Sequence, residues 1–291
     1  MVDEPGLELI AETAPSWQAE GPLAARALEV AERLATRLSE AGTPLSPTRL
    51  TIRHAPAEHI GLGVGTQLSL AVSRILLALA GNREPPILTL AELCGRGLRS
   101  GIGLHGFTRG GLIVDGGRGP LRTPPPLLAR YDFPAEWAVL VLIPSPMTGL
   151  HGSEEVHAFS MLPPIPEAMT DRLCGLLLLG LLPALIERDL PSFGAALAEI
   201  QRRVGECFAP AQGGVFALPG LDAIVAELQA QGLHGVGQSS WGPTLYGFSD
   251  EPAERRAEIL AHLRQRFGLK PDALFWTRAS EAGATLETLE S

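Results

Sequence analysis

Cysteine is scarce in this chain, and the few cysteines present are not spaced to act together. Cys94, Cys174 and Cys207 are an odd number, lie far apart and form no CxxC pair. This pattern argues against a disulfide framework or a zinc knuckle and favours a reducing compartment. The chain does not open with a succession of basic, apolar and small residues, so we expect no secretory signal and a cytoplasmic protein.

Positive charge is also in short supply. The 23 Lys and Arg residues are outnumbered by 32 Asp and Glu residues, which gives a formal net charge of -9. No basic stretch is interleaved with aromatic residues, so we expect no nucleic-acid partner. Any phosphate group must then be held by local geometry, through backbone amides and a few arginines.

Long hydrophobic runs are missing as well. The longest apolar stretch, residues 173–186, is shorter than the about 20 residues that a membrane-spanning helix needs, and Pro183 interrupts it. We therefore expect a buried helix and no membrane association. An apolar helix of this kind also leaves room for a homodimer interface.

The 291 residues, 45% of them hydrophobic, are enough for two domains of α+β type. A boundary is expected near residues 145–165, after a buried strand. Periodicity predicts strands at 7–12, 49–53, 138–143 and 273–277, and helices at 23–40, 66–80, 89–94, 171–188, 191–207, 221–231 and 252–265. A turn is expected at 16–20, and the glycine-rich stretch 95–119 is expected to form a loop and a hairpin.

A glycine-rich loop before an apolar helix is the strongest local signal. The stretch HIGLGVGTQLSLAV, residues 59–72, allows amides to converge at a helix start, where the partial positive charge favours a phosphate. It is neither a Walker loop nor a full GxGxxG fingerprint. The residues expected to bind phosphate here are Gly61, Gly63, Gly65, Thr66 and Gln67.

Two motifs in this order resemble those of the GHMP-kinase superfamily: GLGVGTQLSL at 61–70 and GQSSWGPTLYGF at 237–248. The strings GRGLRSGIGLHGFTRGGLIVDGG at 95–117 and QSSWGPTLYG at 238–247 are more specific, and they resemble the β-ribofuranosylaminobenzene 5'-phosphate synthase family. The resemblance covers about residues 5–280. It implies a GHMP-kinase-like two-domain fold of mixed or antiparallel sheets covered by helices, with domains at 1–150 and 151–291.

The sequence departs from the family pattern at two places. Family members carry an additional strand pair before the equivalent of residues 1–9, so the resemblance implies that this chain starts inside the first domain, with an unpaired sheet edge. Val64 stands where the kinases usually have serine, which weakens the case for ATP chemistry.

The resemblance implies a condensation of 5-phosphoribosyl 1-pyrophosphate with 4-aminobenzoate or 4-hydroxybenzoate, with loss of pyrophosphate and carbon dioxide. The products belong to the biosynthesis of methanopterin-type cofactors. Departing pyrophosphate needs Mg²⁺ and cationic side chains, for which Arg96, Arg99 and Arg109 are candidates. Ser100 is a further candidate for substrate binding.

Two residues of the specific strings could take part in the chemistry. Asp115, in the turn VDGG, is a candidate Mg²⁺ ligand or ribose anchor, and an Asx turn in a hairpin explains it equally well. His105 could protonate or orient the aromatic substrate, although a lone histidine is more often structural.

Two further segments carry candidates. In HGSEEVH at 151–157, Glu154 and Glu155 are weak candidates for Mg²⁺ binding or acid–base chemistry, and a solvated helix start accounts for them as well. The late turn, residues 238–244, could bring hydroxyls and amides to a cleft between the domains. Its Trp241 could stack on the aromatic acid or fill an interface. The substrate-binding residues expected in the late turn are Gln238, Ser239, Ser240 and Trp241.

Two alternatives stay open at this point: an ATP-dependent small-molecule kinase, and a truncated ligand-binding protein without catalysis. Release of ADP with a small alcohol would indicate the kinase. Binding of the phosphoribosyl donor without turnover would indicate the ligand-binding protein.

Overall fold

The structure is a computed structural model and describes residues 1–98, 100–119, 123–144 and 161–289. The chain forms two compact units, and each is discontinuous in sequence. Unit 1 comprises Met1–Ala57, Gly63–Asp132 and Ala279–Ser291, and unit 2 comprises Glu58–Leu62 and Phe133–Arg278. The expected limits, 1–150 and 151–291, differ from these units, because residues 133–144 belong to unit 2 and not to the first domain. In addition, Glu58–Leu62 belongs to unit 2 and Ala279–Ser291 belongs to unit 1.

Unit 1 contains a three-stranded sheet. Strands β1 (Glu8–Thr13), β2 (Gln18–Glu20) and β3 (Thr48–His54) lie in the order β1-β3-β2. The β1 strand pairs antiparallel with β3, and β2 pairs parallel with it. The expected turn at 16–20 is therefore wrong for residues 18–20, because the edge of β3 offers them backbone partners that the local sequence does not reveal.

Two helices cover this sheet, α1 (Ala24–Glu40) and α2 (Val64–Leu79). The apolar periodicity of α1 is confirmed, since Ala27, Val30, Ala31 and Leu34 are its buried residues. They pack with β3 and one face of α2 in a single core cluster. The buried members contributed by β3 and α2 are Leu50, Ile52, Leu68, Val72 and Leu76.

The rest of unit 1 is formed by the glycine-rich region and its neighbours. Helices α3 (Ile87–Cys94) and α4 (Ile102–Arg109) are followed by the antiparallel pair β4 (Leu112–Asp115) and β5 (Leu127–Tyr131). The expectation of a loop at 95–119 is wrong for α4. Glycine costs helix propensity, but burial of Leu104 and Phe107 against α2 and α3 offsets that cost.

Unit 2 contains a four-stranded antiparallel sheet. Strand β6 (Ala138–Leu142) lies between β8 (Leu245–Ser249) and β9 (Leu274–Thr277), and β7 (His234–Gln238) pairs with the other side of β8. All five residues of β6 are buried, as in a strand covered on both faces.

Helices cover the sheet of unit 2. Helix α5 (Glu167–Leu176), a π-helical turn (Leu177–Leu181) and α6 (Leu182–Glu187) are followed by α7 (Leu190–Gln212), α8 (Leu221–Ala230) and α9 (Ala253–Phe267). Residues of α8, α9 and the sheet share one core cluster. A group of aromatic rings packs together with ring centroids 5.1–5.8 Å apart. Its members are Phe133, Trp137, Phe193 and Phe248.

The apolar stretch 173–186 is only partly buried. Leu181, Leu182, Ala184 and Leu185 are buried, but Leu179 is 84% exposed, so the expected buried helix is wrong for one face. Within the described residues, Glu167–Glu187 is one helical stretch that is long and apolar enough to cross a membrane by length and composition. Because the core helix of a water-soluble protein passes the same test, this observation is weak evidence, and the expected lack of membrane association stays a prediction.

A substitution in β6 tests whether this strand lies in the core of unit 2. Replacing the fully buried Leu140 by alanine should lower the free energy of unfolding by about 2–5 kcal/mol, because it removes apolar contacts and leaves a cavity. Leu179→Ala on the exposed helix face is the matched control and should change it by less than about 0.5 kcal/mol. Urea denaturation of both variants measures this, and equal losses would contradict the assigned core.

Candidate active site

The residue that precedes α2 is a glycine with a left-handed backbone conformation. Gly63, with φ of 69°, is the N-cap, and the helix begins at Val64. The amides of Thr66 and Gln67 donate to the Gly63 carbonyl at 3.0 and 3.1 Å, so they are engaged inside the first turn. A Cβ atom added at Gly63 would meet nothing within 4 Å. The helix start therefore has open space beside it, and its partial positive charge favours an anion there.

The α4 helix approaches this start closely. The side-chain amide nitrogen of Gln67 donates to the Gly103 carbonyl at 2.9 Å. A Cβ atom at Gly103 would lie 3.1 Å from Cγ2 of Thr66, which is tighter than ordinary contact. Glycine at 103 thus lets the two helices meet, and the structure brings the GVGTQ and SGIGLHGF strings together within unit 1.

Asp115 is the last residue of β4, and its carboxylate reaches the start of α4. Both carboxylate oxygens accept hydrogen bonds. It accepts hydrogen bonds from the Ser100 hydroxyl at 3.1 Å, the Gly101 amide at 2.6 Å and the Gly117 amide at 3.0 Å. These contacts match the Asx-turn interpretation, with Asp115 also anchoring the α4 start. Among the described residues there is no group of three or more His, Cys, Asp or Glu that could hold a metal ion. A role for Asp115 in Mg²⁺ binding stays a prediction.

His105 is buried in α4. Its Nε2 lies 2.9 Å from the Pro125 carbonyl, and a Cβ atom at Gly101 would lie within 2.9 Å of its ring. The imidazole thus attaches the segment before β5 to α4. This placement is what a structural histidine requires, because a buried polar ring needs a partner.

Arg96 follows α3 and is half-buried. Its Nε donates to the Ser69 hydroxyl at 3.3 Å, and that hydroxyl donates to the Gly65 carbonyl at 2.7 Å. The guanidinium is therefore connected to the first turn of α2, where the resemblance placed a phosphate. Arg109 lies exposed in the last turn of α4. Arg99, Glu154 and Glu155 lie outside the described residues.

The sequence did not predict a buried polar group between α2 and the end of α3. The Cys94 thiol lies 3.0 Å from the Ser73 hydroxyl and donates to the Ser69 carbonyl at 3.3 Å. Desolvation by burial raises the pKa of the Cys94 thiol. Two serines spaced by four within an apolar helix were the available signal, because such residues share one face and need partners when buried.

In unit 2, the segment Glu58–Leu62 packs on the late turn. The Ser239 hydroxyl donates to the Gly61 carbonyl at 2.8 Å, and the Thr244 amide donates to the Ile60 carbonyl at 3.3 Å. A Cβ atom at Gly61 would lie 2.4 Å from the Ser239 carbonyl oxygen, so only glycine fits. The chain then passes into unit 1 between residues 62 and 63.

Two non-glycine residues in these segments adopt left-handed backbone conformations. They are His59, with φ of 64°, and Ser240, with φ of 56°. Such conformations are costly and concentrate at functional sites. Their occurrence in both contacting segments marks this part of unit 2 as a candidate functional region.

Gln238 and Trp241 hold the late turn in place. Gln238 is 7% exposed, and its amide oxygen accepts from the Ala217 amide at 2.6 Å, while its nitrogen donates to the Ser240 carbonyl at 3.1 Å. The Trp241 ring packs edge-on against Phe208 with centroids 4.9 Å apart. Stacking of Trp241 on an aromatic acid stays a prediction.

Comparisons with known proteins first define the class. Residues 181–268 match the family described as GHMP kinases C terminal. Homoserine kinase from Cytophaga hutchinsonii has a similar fold, with a TM-score of 0.64, 16% identity, and coverage of 97% of this chain and 89% of that one. Phosphomevalonate kinase from Streptococcus pneumoniae has a TM-score of 0.61 at 12% identity, over 94% and 88% of the two chains. The expected GHMP-kinase-like α+β fold is confirmed.

Sequence relatives then define the family. The chain is 35% identical to the beta-ribofuranosylphenol 5'-phosphate synthase of Methanothermobacter thermautotrophicus, over 73% of this chain and 67% of the relative. It is 37% identical to the protein of the same name from Archaeoglobus fulgidus, over 67% of this chain and 62% of the relative. The chain belongs to the beta-ribofuranosylphenol 5'-phosphate synthase family. Its matches to the relatives from Archaeoglobus fulgidus and Methanocaldococcus jannaschii cover less than two thirds of those proteins.

The reactivity of the cysteine thiols tests the burial of Cys94 against α2. With iodoacetamide at about pH 8, exposed Cys174 should be alkylated first, whereas Cys94 should stay unmodified until urea unfolds the chain. Burial raises the pKa of the Cys94 thiol in the folded chain above its value in the unfolded chain. The stability that the neutral thiol contributes is therefore fully present below the unfolded-state pKa, and it is lost as the pH rises through the folded-state pKa. Peptide mass spectrometry measures the order, and early labelling of Cys94 would contradict it.

The two glycines of the loop are expected to respond differently to alanine. Both have positive φ, so either substitution strains the backbone by about 1–2 kcal/mol. Gly61→Ala also forces a contact with the Ser239 carbonyl, and it should lower the melting temperature clearly more than Gly63→Ala. Differential scanning calorimetry compares the two variants, and equal shifts would argue against the packing of Glu58–Leu62 on the late turn.

Proposed function

We propose that this chain condenses 5-phosphoribosyl 1-pyrophosphate with 4-hydroxybenzoate or 4-aminobenzoate and releases pyrophosphate and carbon dioxide. The product is a β-ribofuranosyl arene 5'-phosphate of methanopterin-type cofactor biosynthesis. The observation that carries this proposal is the family membership, because the relatives are named for making beta-ribofuranosylphenol 5'-phosphate. The fold alone would support a kinase equally well.

The reaction balances without an added oxidant or reductant. The bond between the anomeric carbon of the ribose and pyrophosphate breaks, and pyrophosphate leaves with the electron pair. The ring carbon that bears the carboxylate forms the new bond to the anomeric carbon. The bond to the carboxylate then breaks, and its electron pair restores the aromatic ring as carbon dioxide departs. Loss of carbon dioxide thus takes the place of a proton loss, so the central step does not require a general base.

The start of α2 supplies what the departing pyrophosphate needs. Main-chain amides at a helix start and its partial positive charge stabilise an anion, and the bare Cα of Gly63 lets a phosphate approach. Arg96, bonded through Ser69 to the same helix turn, would add a full positive charge. Together they oppose the repulsion from the net charge of the chain.

Magnesium is expected with a pyrophosphate donor, but the described residues fit a protein-held ion poorly. The Asp115 carboxylate already accepts three hydrogen bonds, and the described part of the chain has no cluster of carboxylate or imidazole ligands. Mg²⁺ commonly binds through substrate phosphates with few protein ligands. We therefore favour an ion that arrives with the donor.

We also propose a cytoplasmic location, small-molecule substrates and no nucleic-acid partner for this chain. All three cysteines are free thiols, which favours the cytoplasm. The substrates are small molecules, and the acidic chain is not expected to bind nucleic acid. A homodimer through the exposed face around Leu178, Leu179 and Ile186 stays a prediction.

Product analysis tests the function. The chain is mixed with phosphoribosyl pyrophosphate, Mg²⁺ and each benzoate, and mass spectrometry should detect the arylribose phosphate together with pyrophosphate and carbon dioxide. Gly63→Val strains the backbone because φ of Gly63 is positive, but its side chain meets open space, so the variant should keep the fold with some loss of stability. It should reduce turnover by about 100-fold or more by blocking the approach of the donor. Circular dichroism of the variant checks the fold.

Two results would redirect the assignment. Formation of ADP from ATP and a small alcohol, with no pyrophosphate from the donor, would establish the kinase alternative. Calorimetric binding of the donor without any product would indicate a ligand-binding protein. Wild-type activity in Gly63→Val would remove the α2 start from the site.

A further inference from the structure

Residues 280–288, which we call the strap, follow the last strand of unit 2 and belong to unit 1. They form neither a helix nor a strand, and they run along the end of α4. The Ala284 amide donates to the Phe107 carbonyl at 2.7 Å, and the Gly111 amide donates to the Ser280 carbonyl at 2.6 Å. The strap is therefore hydrogen-bonded to the last turn of α4 and to the residues directly after it.

The strap and α4 lie so close together that side chains are excluded between them. A Cβ atom added at Gly283 would collide with the Thr108 backbone, and one added at Gly110 would collide with the Ala282 carbonyl. The φ angle of Gly283 is not in the left-handed region. Glycine at 283 thus serves the close contact and not a turn.

Local interactions alone would hold α4 poorly. It has only eight residues, and the interior glycines Gly103 and Gly106 lower its helix propensity. Had the helix continued, the Gly111 amide would donate to the Phe107 carbonyl. The strap supplies a backbone partner to each of these two groups instead, so it caps α4 from a distant part of the chain.

Arg74 of α2 connects the strap to both helices. Its Nη1 donates to the Ala284 carbonyl at 2.6 Å, and its guanidinium lies over the Phe107 ring, 5.9 Å from the centroid. Arg83, which follows α2, instead donates to the Thr288 hydroxyl at 3.1 Å, near the far end of the strap. Two arginines therefore bind the strap, but Arg74 is the one that binds it where it caps α4.

We propose that the strap keeps α4 folded against α2 and that Arg74 is the positioning residue that holds the strap in place. When the strap is bound, the Gly103 carbonyl of α4 accepts from the Gln67 amide at the start of α2. Release of the strap removes the cap of α4 and weakens this contact. The expected effect on donor binding rests on the proposed function, because it assumes that the donor binds at the start of α2.

Hydrogen–deuterium exchange of Arg74→Met, with Arg83→Met as the matched control, tests the role of Arg74. Methionine resembles arginine in helix propensity but donates no hydrogen bond. Arg74→Met should speed exchange of the amides of residues 105–111 about tenfold, because a hydrogen bond from a charged group is lost. Exchange in α1 and β3 should stay slow, and Arg83→Met should leave α4 near wild type. Arg74→Lys, which can still donate to the Ala284 carbonyl, should restore most of the protection.

Equal exchange of α4 in the wild-type chain and in Arg74→Met would overturn the proposal. Faster exchange throughout unit 1, including α1 and β3, would also overturn it, because Arg74 would then stabilise the whole unit and not α4.

Gly283→Ala tests the strap independently of Arg74. The added methyl group should displace the strap from the Thr108 backbone and speed exchange in α4 in the same way. Gly119→Ala is the matched control, because a Cβ atom at Gly119 would meet nothing within 4 Å. Wild-type protection of α4 in Gly283→Ala would contradict the capping role of the strap.

Calorimetry with phosphoribosyl pyrophosphate and Mg²⁺ separates this proposal from the proposed function. Arg74→Met should raise the Kd of the donor about tenfold, and Arg83→Met should leave it near wild type. Faster exchange in α4 with an unchanged Kd would overturn the positioning role of Arg74. If α4 responds as expected but the wild-type chain binds no donor, the proposed function fails and the capping role of the strap is supported.

Discussion

The close approach of α4 to the start of α2 is the contact on which the candidate site in unit 1 depends. Gly103 lacks a side chain at the point where Thr66 lies nearest, and its carbonyl accepts the Gln67 amide. The glycines of α4 disfavour a helix, and burial of Leu104 and Phe107 offsets this cost. Glycine in this string therefore serves close helix packing, and the helix so placed is the one that Asp115 anchors.

Several residues that the sequence presents as candidates for chemistry form hydrogen bonds within the protein, mostly with backbone groups. Asp115 binds two amides and a hydroxyl, His105 binds a carbonyl, and Gln238 binds both an amide and a carbonyl. Buried or half-buried polar atoms need such partners, and the turns they hold are stabilised in return. The open space beside the Cα of Gly63, at the start of α2, suits the anion that the proposed condensation releases.

The GHMP fold is shared with kinases at 12–16% identity, so it does not by itself separate a kinase from a synthase. Val64 helps to distinguish a synthase from a kinase. Its side chain is buried and stands where the resemblance expects serine in the kinases, so α2 offers no hydroxyl there to a phosphate or a metal. Family membership and this local difference favour the synthase over ATP chemistry.

The sequence by itself determined the family, the α+β class, the amphipathic face of α1 and the glycine loop before α2, because these follow from local spacing and specific strings. It did not reveal α4, the parallel pairing of β2, the exposed face of residues 173–186 or the hydrogen bond between Arg96 and the Ser69 hydroxyl. These features depend on contacts between residues far apart in the chain, such as Gln67 with Gly103 and Ala217 with Gln238. Only tertiary structure decides them, because burial and hydrogen-bond partners from distant segments override local propensity.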